Sequence, residues 1–557
     1  MEKWTQVYDP LGKLASGLPE YLLSALVAAI PLYLLFYMLA FKRTPGHKAA
    51  LVGTTSAVLL AIAVWGMPAS LAISATANGM LLGLFPIVWI VITAVWVYNM
   101  TVESGEFEII KESLAALTDD RRLQAIFIAF AFGAFIEGTA GFGTPVAITA
   151  AMLAGLGFNP IYAAGICLIA NTAPVAFGAI GVPIIVAAST SGLDMNHISS
   201  IAGRQLPLLS VIVPFWVCIT MCGFKRTLEV TPALLTAGLC FAVSQFAFSN
   251  FHGPYLPDIM SALITIVGMV VLLRFWKPKT SWHFPDEPPS KKNATLTYST
   301  GEVLRAWCPY IILAIMVFIW GLVTFKTFVK PFDGFAFPWP MLNGLVVKTT
   351  PIVPPAVAGT PKAIYAAAFN FNIVSAGGTA ILISGILSSF VMPNYSFGKA
   401  IACFFRTCHQ LRFPVLTIAT ILGLAYIMNY SGMSSSLGLA FTKTGALFPF
   451  FAPILGWLGV FLTGSDTSSN ALFSGLQRTT AEAVGVDPHL TVAANSTGGV
   501  TGKMISPQSI SVATAATGLI GKEGNLFRFT LGHSIAMLLV LCVLTMLQAY
   551  TLKWMLP

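Results

Sequence analysis

Apolar runs of membrane-spanning length recur along nearly the whole chain, separated by short polar turns. Leu22–Phe41, Ala49–Met67, Leu81–Met100, Leu206–Gly223, Val230–Phe248 and Cys308–Phe325 carry no charged residue. Each approaches the roughly 20 residues that an α-helix needs to cross a bilayer. The pattern predicts an all-α polytopic membrane protein with roughly 12 or more transmembrane helices. The stretch before Leu22 mixes acids and bases and has no small-residue cleavage site, so the first span reads as an anchor and not as a cleaved signal.

Two regions interrupt this pattern, and they match each other. The first reads FIEGTAGFGTP (135–145), GFNP (157–160) and NTAPVAFGAIGVP (171–183); the second reads FLTGSDTSSNA (461–471), GVDP (485–488) and NSTGGVTGKMISP (495–507). Phe135 and Gly138 align with Phe461 and Gly464, and Asn171, Thr172, Gly178 and Pro183 align without a gap with Asn495, Ser496, Gly502 and Pro507. The apolar run Val146–Leu156 is too short to span roughly 30 Å of hydrocarbon and reads as half of a re-entrant hairpin. Backbone broken at membrane depth is tolerated where it is buried in protein or lines a wet cavity, and the Gly, Ser, Thr and Asn at these breaks suit that setting.

Composition supports a membrane protein: 56% of residues are hydrophobic and 9% charged, against about a quarter charged in soluble domains. The net charge of +9 could suggest a nucleic-acid partner, but the basic residues gather in loops: Phe41–Lys48, Lys111–Arg122, Phe224–Glu229, Arg274–Arg305, Lys399–Arg412 and Gly521–Arg528. Pro68–Met80 and Asn250–Pro257 hold none. Such asymmetry is the orientation signal of membrane proteins; it puts the basic loops in the cytoplasm and both termini outside. On that topology the first repeat runs from inside to outside and the second from outside to inside, provided Ser434–Leu447 does not cross. Inverted repeats with broken helices are the pattern of secondary transporters. The polar, Pro-rich 277–302 reads as a flexible cytoplasmic linker between a first half, 1–276, holding the repeat motif 123–205, and a second half, 303–557, holding 449–520. The eight cysteines read as packing residues; Cys218 and Cys222 share a helix face without the further ligands a metal site needs.

Few charges interrupt the apolar stretches. Glu137, Asp466 and Lys503 all lie in the repeat motifs, and an ionisable residue in a membrane is a functional candidate by default. Asp466 reads as a proton carrier, or as an N-cap for the helix that begins near Thr467. Glu137 reads as a second proton-coupling group, or as a structural carboxylate. Lys503 reads as the counter-charge for a substrate carboxylate, or as a lysine reaching to the interface. GGVTGKM fails the phosphate-loop spacing, with Thr497 and Met504 at the positions that need Gly and a hydroxyl. Asn171, Thr172, Asn495, Ser496, Ser465, Thr467 and Ser469, beside Ser468 and Asn470, supply neutral donors and acceptors for a hydroxy acid, or else for helix–helix hydrogen bonds. The seven histidines are scattered, and no nucleophile triad, metal-ligand set or cofactor motif can be placed, so neither an enzyme nor a bound cofactor is expected.

At these motifs the chain resembles the bacterial lactate permease family, including its glycolate permease branch. EGTAGFGTPVAIT, GLGFNPIYAAG, NTAPVAFGAIG, GWLGVFLTGSDTSSNALF and GGVTGKMISPQS carry the resemblance, with WTQVYDPLG and LFRFTLGHS near the ends. The resemblance implies an inner-membrane symporter that moves lactate, glycolate and related 2-hydroxy acids with protons, and kinship with inverted-repeat transporters in which one domain slides like an elevator. One departure is Tyr255, where the family's GPELPD block has an acid; Asp258 of that block remains. The competing expectations are sodium coupling on the same architecture, and a membrane-embedded enzyme or sensor for hydroxy acids.

Overall fold

The computed structural model describes residues 3–12, 19–42, 44–139, 141, 144–284, 298–353, 355–393, 395–519 and 522–557; Arg43, Phe142, Gly143, Gly521 and the linker segment 285–297 lie outside the described residues. Among the described residues, ten helices are long and apolar enough to cross a membrane, or up to twelve if each of two bent pairs is one crossing. The chain is a multi-pass helical membrane protein.

Several expected loops are helical. Pro68–Met80 becomes helix Ala69–Leu82, which continues into Trp89–Glu103 as one 35-residue element, kinked at Phe85 just before Pro86. Its small residues allow this: a Cβ on Gly79 would strike the Leu422 carbonyl, and one on Gly83 would lie 2.8 Å from the Ala419 Cα, so the helix packs backbone to backbone against Arg412–Ser431. The basic stretch at 399–412 lies largely in helix Phe397–Gln410, with Ala400, Cys403 and Thr407 turned inward. The long connection 326–371 pairs strand Phe335–Pro338 with Ala368–Phe371, and holds the amino end through Trp4–Thr5 beside Val346–Val347.

The repeats explain their own motifs. GFNP and GVDP are the same helix start: Asn159 caps Pro160–Ala170 by accepting from Ile161 N at 3.0 Å, and Asp487 caps Pro488–Lys503 by accepting from His489 N at 2.8 Å. In each case Pro follows at the first helical position, where its missing N–H costs nothing. The first repeat begins with Arg121–Thr139, whose membrane window is entirely buried in protein. A helix apolar on every side needs such a place, and it keeps Glu137 away from lipid. Helix Thr144–Gly155 follows, then Pro160–Ala170 and Val175–Ser191, bent by 64° at the break between them. In the second repeat, Phe448–Thr463 stops at Gly464 (φ +73°), and Asp466–Val484, Pro488–Lys503 and Pro507–Ala516 follow. Met433–Phe441 has nine residues, about 14 Å of helix, and runs through a tight turn into Phe448–Thr463, so that Met433–Thr463 is one of the ten elements long and apolar enough to cross.

Arg122 fastens the start of the first repeat. It is fully buried and binds Asp120 at 2.7 Å, Glu229 at 2.8 Å, and the carbonyls of Arg226 and Thr280 at 2.6 and 3.1 Å. Its guanidinium holds the Glu229 carboxyl below the usual carboxylate range. Removing one partner of a buried pair costs about 3–5 kcal/mol, so Arg122→Ala should lower the melting temperature of the purified protein by several degrees. Because Glu229 is depressed in the folded state, its share of stability is present above its unfolded value and lost as pH falls through the acid range. The variant should therefore lose part of the acid-side pH dependence of melting, and an unchanged melting curve would refute this fastening.

Candidate functional site

The second break carries a buried polar stripe. Ser496, Gly499 and Lys503 are three and four residues apart on Pro488–Lys503, the spacing that stacks positions on one helix face. Ser496 Oγ donates to Asp466 Oδ2 at 2.6 Å, and a Cβ on Gly499 would strike Asp466 Oδ1. Lys503 is the next residue of that stripe, within electrostatic reach of Asp466. Asp466 is 2% exposed and Lys503 7%. Asp466 Oδ1 has no hydrogen-bond partner, and the Lys503 ammonium has neither hydrogen bond nor ion pair, among the described residues. Ser465, not Asp466, caps the helix, accepting from Ser468 N at 3.3 Å, so the carboxylate is not consumed by capping.

Amides hold this acid in place. Asn470 Nδ2 donates to Asp466 Oδ2 (3.3 Å), Ser496 Oγ (3.1 Å) and the Pro183 carbonyl (3.1 Å). Asn495 Nδ2 donates to Asn470 Oδ1 at 2.9 Å, and Gln477 Nε2 donates to Asn495 Oδ1 at 3.1 Å and to the Ala452 carbonyl at 2.8 Å. Through Pro183 the network reaches the first repeat, whose Val175–Phe177 turn also packs on Pro488–Lys503. Asn171 stands at the bend of the first repeat, whereas Asn495, aligned with it in sequence, lies inside the unbroken helix Pro488–Lys503.

At the first break Glu137, 3% exposed, accepts from Asn171 Nδ2 at 3.2 Å, and no arginine pairs with it among the described residues. Gly178 lies against it: a Cβ there would sit 2.7 Å from Glu137 Oε1. Ala179, Ile180 and Gly181 follow with φ of 45°, 58° and 76°, a left-handed run that is costly for the two non-glycines and persists where the surroundings enforce it. Gln245 Nε2 donates to the Ala173 carbonyl freed by the break, at 3.0 Å.

Not every candidate faces the shared interior. Thr172 Oγ1 donates back to the Ile169 carbonyl (2.7 Å), and Ser469 Oγ ties its helix to the Gly456 carbonyl (3.0 Å). Thr467 is half-buried with no hydrogen-bond partner among the described residues. Ser465 lines a cavity of about 1110 Å³ that runs from His47 and Lys48, past Gln508, to this break. Gln245 and Gln477 are polar residues that the motifs do not mark, and Asp258 stands out only as the acid remaining in its block; a lone amide inside an apolar run such as Ala242–Phe248 is the signal that marks the first.

The comparisons with known proteins agree along the whole chain. The pattern of the L-lactate permease family matches residues 24–552. The L-lactate permease of Bacillus subtilis (strain 168) is 47% identical over 569 residues, and the glycolate permease GlcA of Escherichia coli (strain K12) 49% over 572, each alignment covering 100% of both chains. The L-lactate permease of Escherichia coli (strain K12) is 46% identical over 566 residues at the same coverage. Among solved structures, MtrF of Neisseria gonorrhoeae, from a class of antimetabolite efflux pumps, aligns with 93% of this chain and 97% of its own at 13% identity and a TM-score of 0.49.

Proposed function

The chain belongs to the L-lactate permease family, and on that premise we propose that it is a secondary active transporter that carries lactate, glycolate and similar 2-hydroxy monocarboxylates together with protons across the bacterial inner membrane. The observation that supports this most is the pairing of a half-satisfied Asp466 with an unpartnered Lys503 on facing helices.

Charge arithmetic gives the coupling. Moving net charge through low dielectric is costly. The empty carrier balances Asp466 carboxylate against Lys503 ammonium. A substrate carboxylate that takes Lys503 leaves Asp466 as an uncompensated negative charge. One proton on Asp466 restores the balance, so the empty and the fully loaded forms have equal charge at this site, and the half-loaded forms do not. Asn171, whose Oδ1 has no hydrogen-bond partner, offers one to the substrate hydroxyl, and Ser496 and Asn495 offer others only by giving up their bonds to Asp466 and Asn470. On the proposed topology the cavity from Lys48 to Ser465, lined also by His47 and Glu523, is the cytoplasmic approach.

Wild-type protein in sodium-free proteoliposomes, with an imposed inward proton gradient, should accumulate labelled lactate or glycolate above equilibrium. Accumulation that requires a sodium gradient instead would overturn proton coupling, and chemical conversion of the label without transport would overturn the transporter reading.

A further inference from the structure

A helix packed against the first repeat carries a second acid that its partners do not neutralise. Asp258 stands in the first turn of helix Pro257–Phe275, 1% exposed, with neither carboxylate oxygen hydrogen-bonded. That helix reaches the Glu137 helix through Gly138, where a Cβ would lie 2.8 Å from Asp258 Cβ and 3.1 Å from the Ile259 nitrogen. Asp258 and Glu137 are within electrostatic reach of each other. A third group of the cluster is also open: Asn171 donates its amide to Glu137 Oε2, while its carbonyl oxygen, in a side chain 3% exposed, has no partner.

Neither Asp258 nor Glu137 forms an ion pair among the described residues; Glu137 also lies within electrostatic reach of Asp466, with Lys503 beyond it. The elements that pack most closely on helix Pro257–Phe275 are Gly133–Thr139, Ile126–Phe132, Gly178–Ser191 and Thr231–Phe251. Of these only Gly133–Thr139 brings an ionisable group to the turn, Glu137; Cys240 on Thr231–Phe251 sits at Gly268, three turns further along. In the preceding connection, His252 stacks on Phe318 and abuts Gly321, and Tyr255 rests against Gly377. Two adjacent carboxylates in a buried site cannot both hold full charge without a counter-ion, and replacing one charge by a shared proton removes the repulsion.

We propose that Asp258 and Glu137 form a proton-holding carboxyl pair beside the first break, in addition to Asp466, with Asn171 orienting Glu137, and that this pair exchanges its proton during transport. The proton passes from water to one carboxylate and is shared with the other; no other bond changes. The proposal rests on the proton-coupled reading above.

The test uses full-length protein in sodium-free proteoliposomes and a trapped pH dye to count protons moved per labelled hydroxy acid. Asp258→Asn is expected to move fewer protons per substrate than wild type and to flatten the rise of uptake at acid pH, with Asp258→Glu restoring part of both. Counterflow, which needs no net proton movement, reports that each variant is folded. Asp258→Asn with wild-type proton yield and pH profile would overturn the pair. So would a sodium-dependent shift in wild-type counterflow that vanishes in the variant, since the pair would then hold an alkali cation. Wild-type protein that exchanges substrate but moves no protons would sink the coupling reading itself, a result distinct from either.

Discussion

Asp466→Asn should abolish uphill accumulation while leaving exchange of substrate across the membrane. The replacement preserves shape and keeps an oxygen for Ser496 and Asn470, which donate to Oδ2 at 2.6 and 3.3 Å. It removes only the ability to alternate between charged and neutral. The amide is always neutral, so substrate alone balances Lys503, and loaded carrier returns with no proton requirement. One pH unit is worth about 1.4 kcal/mol per proton and sustains roughly tenfold accumulation. The variant should fall from that ratio to about unity, with the counterflow signal retained. Accumulation at the wild-type ratio would remove Asp466 from the mechanism.

Glycine sharpens the same case. Gly499 faces Asp466 so closely that any side chain there would displace the carboxylate. The motif GGVTGK therefore encodes an approach of helix to acid, not a phosphate cradle, and this follows only once the two helices are set side by side.

The parts of the fold that were legible in the sequence are those governed by local rules. The apolar runs announce helices, and the GFNP and GVDP strings announce capped helix starts with Pro in the first position. The matched breaks announce two related regions, because a discontinuity at membrane depth needs the same glycines and hydroxyls each time it is built. What escaped depends on partners distant in the chain. Pro68–Met80 lacks charge and so looked like an external turn; it is helical because Gly79 and Gly83 accept the backbone of a helix more than 300 residues away. Ser465 takes the capping role open to Asp466, a choice between neighbours that only backbone geometry decides. Gln245 satisfies a carbonyl exposed at the first break and Gln477 one on the neighbouring helix Phe448–Thr463, and a single amide in an apolar run does not say which carbonyl it serves. Asp258 looked like the remnant of a block whose other acid is replaced by Tyr255. Its neighbour Glu137 lies more than 100 residues earlier, and the two meet only through the contact at Gly138.

Lys503→Ala should weaken substrate binding by roughly tenfold to a hundredfold. A hydrogen bond to a charged group contributes about 1.5–3 kcal/mol, and each 1.4 kcal/mol is a factor of ten in Kd. The loss should be selective for the carboxylate. Lys503 ends its helix, and its ammonium makes no hydrogen bond or ion pair among the described residues; its truncation leaves Asp466 without its balancing charge, which a proton on Asp466 restores, so loss of the clamp has to be told from a disturbed site. A neutral amide analogue of the hydroxy acid separates the two causes. If Lys503 clamps the carboxylate, wild type should prefer the acid strongly over the amide, and the variant should bind both alike. A collapse of the site would instead weaken the amide as much as the acid. Wild-type affinity for the acid in Lys503→Ala would refute the clamp, and with it the charge balance that ties substrate to proton, since Asp466 would then have no reason to be neutralised when the substrate arrives.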